Sequence, residues 1–197
     1  MKQNTIWEFT KAIVSALLLA FLIRAAVVQA YKIPSGSMIP TLLVGDHLLA
    51  NKFIYGEKLP FLNKKLLVFR KPERGDIVIF PCPVDPGKNF IKRVVAVEGD
   101  IVEERNKQLF INGRPMSETY VQHTDNYPLI QRDNFGPYLV PHNKVFVMGD
   151  NRDHSYDSRY WGYVDINNIK GEAFIVYWSW DSLKNFPRLQ RIGHLIN

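Results

Sequence analysis

Ser37 is the first residue of the sequence whose type and setting could support nucleophilic chemistry. It lies in a turn-forming run, 34–41, in which Gly36 and two prolines restrict the backbone. A serine hydroxyl is a weak nucleophile until a neighbouring base removes its proton. Serines beside glycine and proline also commonly serve as turn residues that cap backbone amides. Ser37 is therefore a candidate nucleophile that needs a base from elsewhere in the chain.

Lys92 is the residue best suited to be that base. The run 89–97 predicts a strand, and alternation along it groups four residues on one face: Phe90, Lys92, Val94 and Ala96. Lys92 is then the only charged side chain on an apolar face, and burial lowers the pKa of a lysine from about 10.4. A lysine that is neutral near neutral pH can act as a general base. The alternative is a lysine whose ammonium reaches solvent from a sheet edge.

A polar loop, 149–159, is the third stretch with reactive residue types. It could be a solvated turn, but its apolar flanks and internal Asp/Arg pairs favour an ordered loop. On residue types alone, His154 with Asp150 or Asp157 would complete a Ser/His/Asp triad with Ser37. Neither a Gly-x-Ser-x-Gly elbow nor a Ser-x-x-Lys motif is present at the serines, so the triad remains the weaker alternative.

A metal site in the same loop is weaker still. Its ligands would be Asp150, Asp153, His154 and Asp157. Their spacing matches neither an EF-hand nor a His-Glu-x-x-His site, so we expect no metal and no cofactor. The single cysteine, Cys82, excludes an intrachain disulfide, and its place between two prolines suggests a half-buried structural thiol.

The N-terminal segment predicts one transmembrane helix. Residues 12–30 form a run of 19 residues interrupted only by Ser15, Arg24 and Gln29, which comes close to the thickness of a hydrocarbon core, about 30 Å. Lys2 and Lys11 favour a cytoplasmic N-terminus. A cleaved signal peptide, with residues 28–30 as its cleavage site, is the alternative.

The rest of the chain predicts a mainly β fold. Strands are predicted at 46–53, 75–80, 89–97, 101–105, 108–111, 145–148 and 173–178, with residues 106–107 as a hairpin turn and 120–141 as an irregular excursion. No long helical period follows residue 32. The pattern predicts an antiparallel, partly closed β architecture. With 46% hydrophobic residues the chain can bury a core, and its scattered basic residues, net charge +6, favour anionic lipid over nucleic acid as a partner.

The ordered set of motifs resembles the bacterial type I signal peptidases (leader peptidases), which are membrane-anchored Ser-Lys endopeptidases. The resemblance spans nearly the whole chain. It rests on the apolar N-terminal segment and on five later sequence motifs: 35–41 with Gly45-Asp46, 74–78, 92–95, Gly99-Asp100, and 149–153 continuing to Ser158-Arg159. Any one of these motifs is weak evidence for the family, but five of them in the same order are specific to it.

The resemblance implies a role for each matching residue. Ser37 would be the nucleophile and Lys92 the general base. The Ser37 amide and the Ser35 hydroxyl would form the oxyanion hole, and Ser155 would hydrogen-bond and orient Lys92. Two Asp/Arg pairs would hold the loop in place: Asp157, Arg159, Asp150 and Arg93. The pockets for small substrate side chains at the −1 and −3 positions would draw on Ile33, Met38, Leu42, Phe90 and Ile91.

The resemblance also implies an organisation and a location. Residues 1–32 would be the anchor with a short cytoplasmic tail, and 33–197 the peptidase domain, with a small accessory β subdomain at about 100–145. We expect a monomer whose substrates are the signal peptides of exported preproteins, on the outer face of the cytoplasmic membrane. A self-cleaving repressor of the SOS type and a non-catalytic membrane-tethered β domain are the alternatives. The first would need an N-terminal DNA-binding domain, for which 32 residues are too few.

Overall fold

The structure is a computed structural model that describes residues 2–58, 65–66 and 68–196. Its strands are β1 (Val28–Lys32), β2 (Asp46–Asn51), β3 (Glu57–Lys58), β4 (Lys65–Leu66), β5 (Ile77–Cys82), β6 (Asp85–Val97), β7 (Ile101–Arg105), β8 (Gln108–Ile111), β9 (Arg114–Pro115), β10 (Phe135–Leu139), β11 (Lys144–Met148), β12 (Val164–Asp165), β13 (Gly171–Asp181), β14 (Phe186–Pro187) and β15 (His194–Leu195). Its helices are α1 (Lys2–Val27), α2 (Ile130–Asp133) and α3 (Ser158–Trp161), with 3-10 turns at Arg152–His154, Ile166–Asn168 and Leu189–Arg191. The fold is therefore mainly β, as predicted.

The main sheet has nine strands within the described ranges. Its order is β1-β2-β13-β5-β6-β11-β12, and β14 and β15 also pair with β13. Every pairing between these strands is antiparallel. The sheet ends at β1 on one side and β12 on the other. The prediction of partial closure was therefore wrong, because strand periodicity shows which segments are strands and not whether the outermost two meet.

A second sheet of four strands, in the order β10-β7-β8-β9, completes the part of the fold that positions the site. The hairpin between β7 and β8 is confirmed, and its two turn residues, Asn106 and Lys107, have positive φ angles of 49° and 68°. Strand β10 was missed, because Gly136 and Pro137 make its sequence look like a loop. A Cβ on Gly136 would lie 2.6 Å from the Val102 carbonyl oxygen, so glycine permits this close pairing with β7.

The main sheet is buried on both faces around β5. Ile77 and Ile79 enter one apolar cluster, whereas Val78 and Phe80 enter another on the opposite face. A third cluster lies between the two sheets and includes Val95 of β6 and Leu109 of β8. Burial of a side chain of this size contributes about 1.5–3 kcal/mol, so the centre of the sheet is a rigid support for the residues of β6.

The N-terminal segment begins as α1 and continues directly into the main sheet. Helix α1 ends at Val27, and β1 then pairs with β2 from Val28 to Lys32. The last residues of the predicted span, 28–30, are therefore strand and not helix. Among the residues that the structure describes, no helix meets the combined length and hydropathy expected of a membrane crossing.

Candidate active site

Ser37 lies on the turn that joins β1 to β2. The turn is fixed from beneath, because Met38 and Leu42 are fully buried in the apolar cluster and the Leu42 amide donates to the Met38 carbonyl at 2.9 Å. Its ends are tied together where the Ile33 amide donates to the Asp46 carbonyl at 2.8 Å. Local sequence, with its glycine and prolines, thus forms a compact turn whose apolar residues face the core and whose serine faces the cleft.

Lys92 meets Ser37 across the cleft. Its Nζ lies 2.7 Å from Ser37 Oγ, although the two residues are 55 positions apart in sequence. Lys92 stands on β6 opposite Val78 of β5 and is only 4% exposed. Its Nζ also lies 5.3 Å from the centre of the Phe90 ring. The prediction that this lysine is buried beside apolar neighbours is confirmed.

Burial sets the protonation behaviour of Lys92. Removal from water disfavours the ammonium and lowers the Lys92 pKa to about 8, while the Asp157 carboxylate acts in the opposite direction. A substantial fraction of the lysine is then neutral at mildly alkaline pH. The neutral amine has a lone pair that can accept the Ser37 hydroxyl proton, which is the requirement for a general base.

The polar loop is held against β6 by one buried ion pair. Arg93 donates to Asp150 through both Nε and Nη2, at 2.9 and 2.8 Å, and both side chains are fully buried. The Thr41 hydroxyl donates to the same carboxylate, and the Tyr120 ring lies 3.9 Å from the guanidinium carbon. A two-pronged pair of this kind fixes orientation as well as distance. It connects the serine turn, β6 and the loop.

A second buried pair orders the loop from within. Arg159 Nε and Nη2 donate to the two oxygens of Asp157, each at 2.9 Å, and the Gly149 amide donates to Asp157 at 3.0 Å. Burial alone would raise the pKa of Asp157, but the Arg159 guanidinium and these hydrogen bonds bring that pKa below its ordinary value. Asp157 is therefore a fixed negative charge near Lys92. Both of the Asp/Arg pairs that the resemblance implied are therefore formed.

Ser155 lies beside the pair of reactive residues but does not make the predicted contact. Its Oγ is buried near the Asp157 carboxylate and has no well-formed hydrogen bond among the described residues, so it does not donate to or accept from Lys92. It packs instead against Gly149, where a Cβ would overlap both Ser155 Oγ and the Ser37 carbonyl oxygen. The expected hydrogen bond is corrected to a packing contact.

An open cleft of about 800 Å³ surrounds the reactive pair. Four of the five residues implied for the substrate pockets line it, together with the two serines of the implied oxyanion hole: Ile33, Met38, Phe90, Ile91, Ser35 and Ser37. Leu42 does not, because it is completely buried in the cluster under the turn. The resemblance implied Leu42 as a pocket residue, but its side chain points into the core.

His154 and the other candidate metal ligands do not assemble around Ser37. His154 is exposed on the rim of the cleft, and its Nε2 lies 2.9 Å from the Thr124 hydroxyl. Asp150 and Asp157 each form an ion pair with an arginine, so neither orients the histidine as a triad would require. Within the described ranges, no group of three or more His, Cys, Asp or Glu residues is arranged around a common metal position. Cys82 is fully buried, more deeply than expected.

Contacts from the irregular excursion were not foreseen from sequence. Glu118 forms a two-pronged pair with Arg152 of the loop, and the Gln122 amide donates to the Asp150 carbonyl at 2.8 Å. Asp153 accepts hydrogen bonds from two backbone amides of the same segment, at Thr124 and Asp125. The polar composition of 118–125 is typical of a solvated loop. The one feature that could have predicted these contacts is that its charged residues are acidic, whereas the loop 149–159 contains arginines.

Glu104 of β7 is a further buried charge that the sequence did not single out. Burial raises its pKa to about 7, and the Arg159 and Arg152 guanidiniums act against that rise. Neither of its carboxyl oxygens has a hydrogen-bond partner in the described part of the chain. Arg159 thus interacts electrostatically with two carboxyl groups, Asp157 and Glu104.

Comparison with known proteins gives one consistent result. The family described as "Signal peptidase, peptidase S26" matches residues 6–178. "Signal peptidase I" of Pseudomonas fluorescens is 37% identical over 98% of this chain and 80% of its own length. The protein of the same name from Pseudomonas aeruginosa is 36% identical with the same coverage. "Probable signal peptidase I-2" of Synechocystis sp. is 38% identical over 89% of this chain and 75% of its own length.

Proposed function

The chain belongs to the signal peptidase family, peptidase S26, and from that membership we propose a membrane-anchored serine endopeptidase that removes signal peptides from exported preproteins. The observation that carries the proposal is the 2.7 Å approach of Lys92 Nζ to Ser37 Oγ in an open cleft. Burial of a lysine that has no ion-pair partner in contact is costly, so the position of Lys92 does not serve stability. A buried lysine next to a serine can instead serve as the base that activates the serine hydroxyl.

Ser37 and Lys92 act together in each step of the proposed reaction. Ser37 Oγ bonds to the carbonyl carbon of the residue at −1 while neutral Lys92 accepts the hydroxyl proton. The lysine then gives that proton to the amine of the mature chain as the C–N bond breaks, which leaves the signal peptide as an ester on Ser37. A water molecule, deprotonated by Lys92, then attacks the ester carbon; the bond from that carbon to Ser37 Oγ breaks, the signal peptide leaves with a free carboxyl group, and Lys92 returns the proton to Ser37 Oγ.

The oxyanion formed in each step needs hydrogen-bond donors. The Ser37 backbone amide and the Ser35 hydroxyl are the proposed pair, and each such donor is worth about 3 kcal/mol in the transition state. Both residues line the cleft on the serine turn. The turn is held by buried residues beneath it, which keeps these donors in position before the substrate arrives.

Substrate choice follows from the walls of the cleft. Ile33, Met38, Phe90 and Ile91 line the cleft around the reactive pair with apolar side chains. An alanine at −1 and −3 fits against such walls, whereas a bulky side chain meets them by steric overlap.

A preprotein with Ala-x-Ala before its mature sequence tests this function directly. We expect the purified full chain in detergent to cleave it once, after the second alanine. A matched preprotein with Phe at −3 should be cleaved at least about tenfold more slowly, because a misfitting side chain in an apolar pocket costs a few kcal/mol. Mass spectrometry of both products gives the site. No cleavage of the alanine preprotein, or equal cleavage of both, would contradict the proposal.

The proposed location is the outer face of the bacterial cytoplasmic membrane, with α1 as the anchor. The apolar run within α1 supports this, as do Lys2 and Lys11 ahead of it. Because β1 follows α1 without a linker, the serine turn would begin within a few residues of the bilayer surface. The sequence predicted residues 1–32 as the anchor, but 28–32 form β1 of the main sheet, so we propose that the monomeric peptidase domain begins at β1 and that the four-stranded sheet is its accessory subdomain.

Two exposed tryptophans of β13 offer a second contact with lipid. Trp178 and Trp180 are 38% and 37% exposed and alternate with the buried Ser179, so they lie on one face of the strand. A tryptophan side chain combines a polar N–H group with a large apolar ring, and tryptophans are therefore enriched in the headgroup layer of membranes. We propose that they rest in that layer beside the anchor.

Brominated lipids test the tryptophan contact. In proteoliposomes, a full-length variant that retains only Trp178 and Trp180 should lose fluorescence when the lipid is brominated near its headgroup end. The matched control retains only Trp161, which packs against Phe80 at 5.9 Å, and should keep its fluorescence. Equal quenching of the two variants, or none in the first, would count against the contact.

A further inference from the structure

Asn151 is tied to Ser37 on both sides of the nucleophile. Its Nδ2 donates to the Gly36 carbonyl oxygen at 3.0 Å, and its backbone amide donates to the Ser37 carbonyl oxygen at 3.1 Å. The residue is almost completely buried and lines the cleft. One asparagine therefore contacts both carbonyl groups that flank the serine, and the Ile39 amide is a second, longer donor to the Gly36 carbonyl oxygen, at 3.2 Å.

The first of these bonds acts on a peptide unit with a proposed chemical role. The Gly36 carbonyl and the Ser37 N–H belong to the same planar amide, so a donor fixed on the oxygen also fixes the direction of the N–H. Hydrogen bonds in a chain polarise one another, and a donor on the carbonyl strengthens the N–H as a donor in turn. The carboxamide of Asn151 reaches this amide from the side opposite the N–H.

Asn151 is itself held rigidly. Asp150 before it is paired with Arg93, and the Arg152 amide after it donates to the Gln122 carbonyl at 3.0 Å. Gln122 and Asn151 form a parallel bridge, which connects the loop to the excursion from the second sheet. The two hydrogen bonds from Asn151 to the serine turn, which we call the clamp, are thus supported by β6 through Asp150 and by the excursion through Gln122.

We propose that Asn151 is a positioning residue that aims the Ser37 N–H at the oxyanion by holding the Gly36–Ser37 amide from its carbonyl side. The inference rests on the proposed function, in which that N–H is an oxyanion donor. It predicts a defect in the transition state and not in substrate binding, because the carboxamide touches the enzyme's own backbone.

Asn151→Leu is the variant that tests the clamp, since leucine has a similar branched shape and no donor. We expect kcat for an Ala-x-Ala preprotein to fall on the order of tenfold with KM nearly unchanged. Complete removal of an oxyanion donor lowers kcat about a hundredfold or more, and a donor that points in the wrong direction should lose only part of that stabilisation. The Ki of a peptide aldehyde with alanine at −1, which adds to Ser37 and forms an oxyanion, should rise by a similar factor. Asn168→Leu, at an exposed asparagine, is the control and should match the wild type.

The outcomes separate this inference from the function on which it rests. If the wild type cleaves and Asn151→Leu keeps its kcat and aldehyde Ki, the clamp is wrong and the peptidase stands. If kcat falls while the aldehyde Ki does not change, or the pH profile of the rate shifts, Asn151 acts on Lys92 or the loop and the clamp is also wrong. Asn151→Ala, which loses the same donor and adds no charge, decides the case should the leucine variant unfold. A wild type that fails to cleave rejects the function itself.

Discussion

Lys92→Ala is expected to abolish cleavage of an Ala-x-Ala preprotein, with a loss in kcat of about 10⁴-fold or more, the scale set by removal of a base from other serine hydrolases. The reason is that, within the described part of the chain, Lys92 is the one basic side chain recorded in hydrogen-bond contact with Ser37 Oγ. Substrate binding should survive, because the walls of the cleft are contributed by other residues. Single-turnover kinetics on the full chain in detergent, with preprotein binding measured separately, would check both statements.

Two comparisons make that result specific. Ser37→Ala should be as inactive as Lys92→Ala, and the double variant no worse than either, since the residues act as one unit. His154→Ala, at an exposed residue bonded to Thr124, should keep most of the activity. Retention of activity in Lys92→Ala together with its loss in His154→Ala would move the chemistry to a histidine base.

The same assignment fixes the direction of the pH dependence. Below its pKa the lysine is an ammonium and cannot accept a proton, so the rate should rise with pH and level off above about 8. A histidine base would give a rise near its ordinary pKa, about 6.5. A rise centred near the pKa of an exposed lysine, about 10.4, would instead contradict the burial of Lys92.

The local sequence pattern was sufficient to predict the residues that lie on regular strands. Alternation along 89–97 put Lys92 among apolar neighbours, and the same rule gave β7, β8 and the hairpin between them with the correct bounds. These predictions succeeded because the pleat of a strand is set by the next residue along the chain and needs no knowledge of distant contacts.

Features that depend on distant contacts could not be found in this way. Strand β10 exists because β7 accepts it as a partner, although Gly136 and Pro137 argue against a strand locally. Leu42 points away from the cleft because the turn packs on the main sheet, and Ser155 Oγ lies beside Gly149 without the expected bond to Lys92. Which side of a turn faces solvent is decided by packing and not by the turn's own sequence.

Gly149→Ala is expected to lower kcat by on the order of 100-fold without unfolding the protein, because a displacement of about 1 Å at a reacting group can cost that much. The added methyl would overlap the Ser37 carbonyl oxygen and the Ser155 side chain, and backbone atoms cannot rotate away as a flexible side chain can. The serine turn is then expected to shift relative to Lys92, and the free energy of unfolding should fall by about 1–3 kcal/mol, the usual cost of overpacking. Gly87→Ala is the matched control, since a Cβ there would meet only the Asp85 carboxylate at 3.4 Å, an ordinary contact, and should leave both quantities unchanged. Thermal unfolding measured alongside kcat separates a displaced turn from a lost fold. A Gly149→Ala enzyme with wild-type kcat would mean that the loop can move without disturbing Ser37, and the close packing of loop on turn would then have no part in aligning the nucleophile with its base.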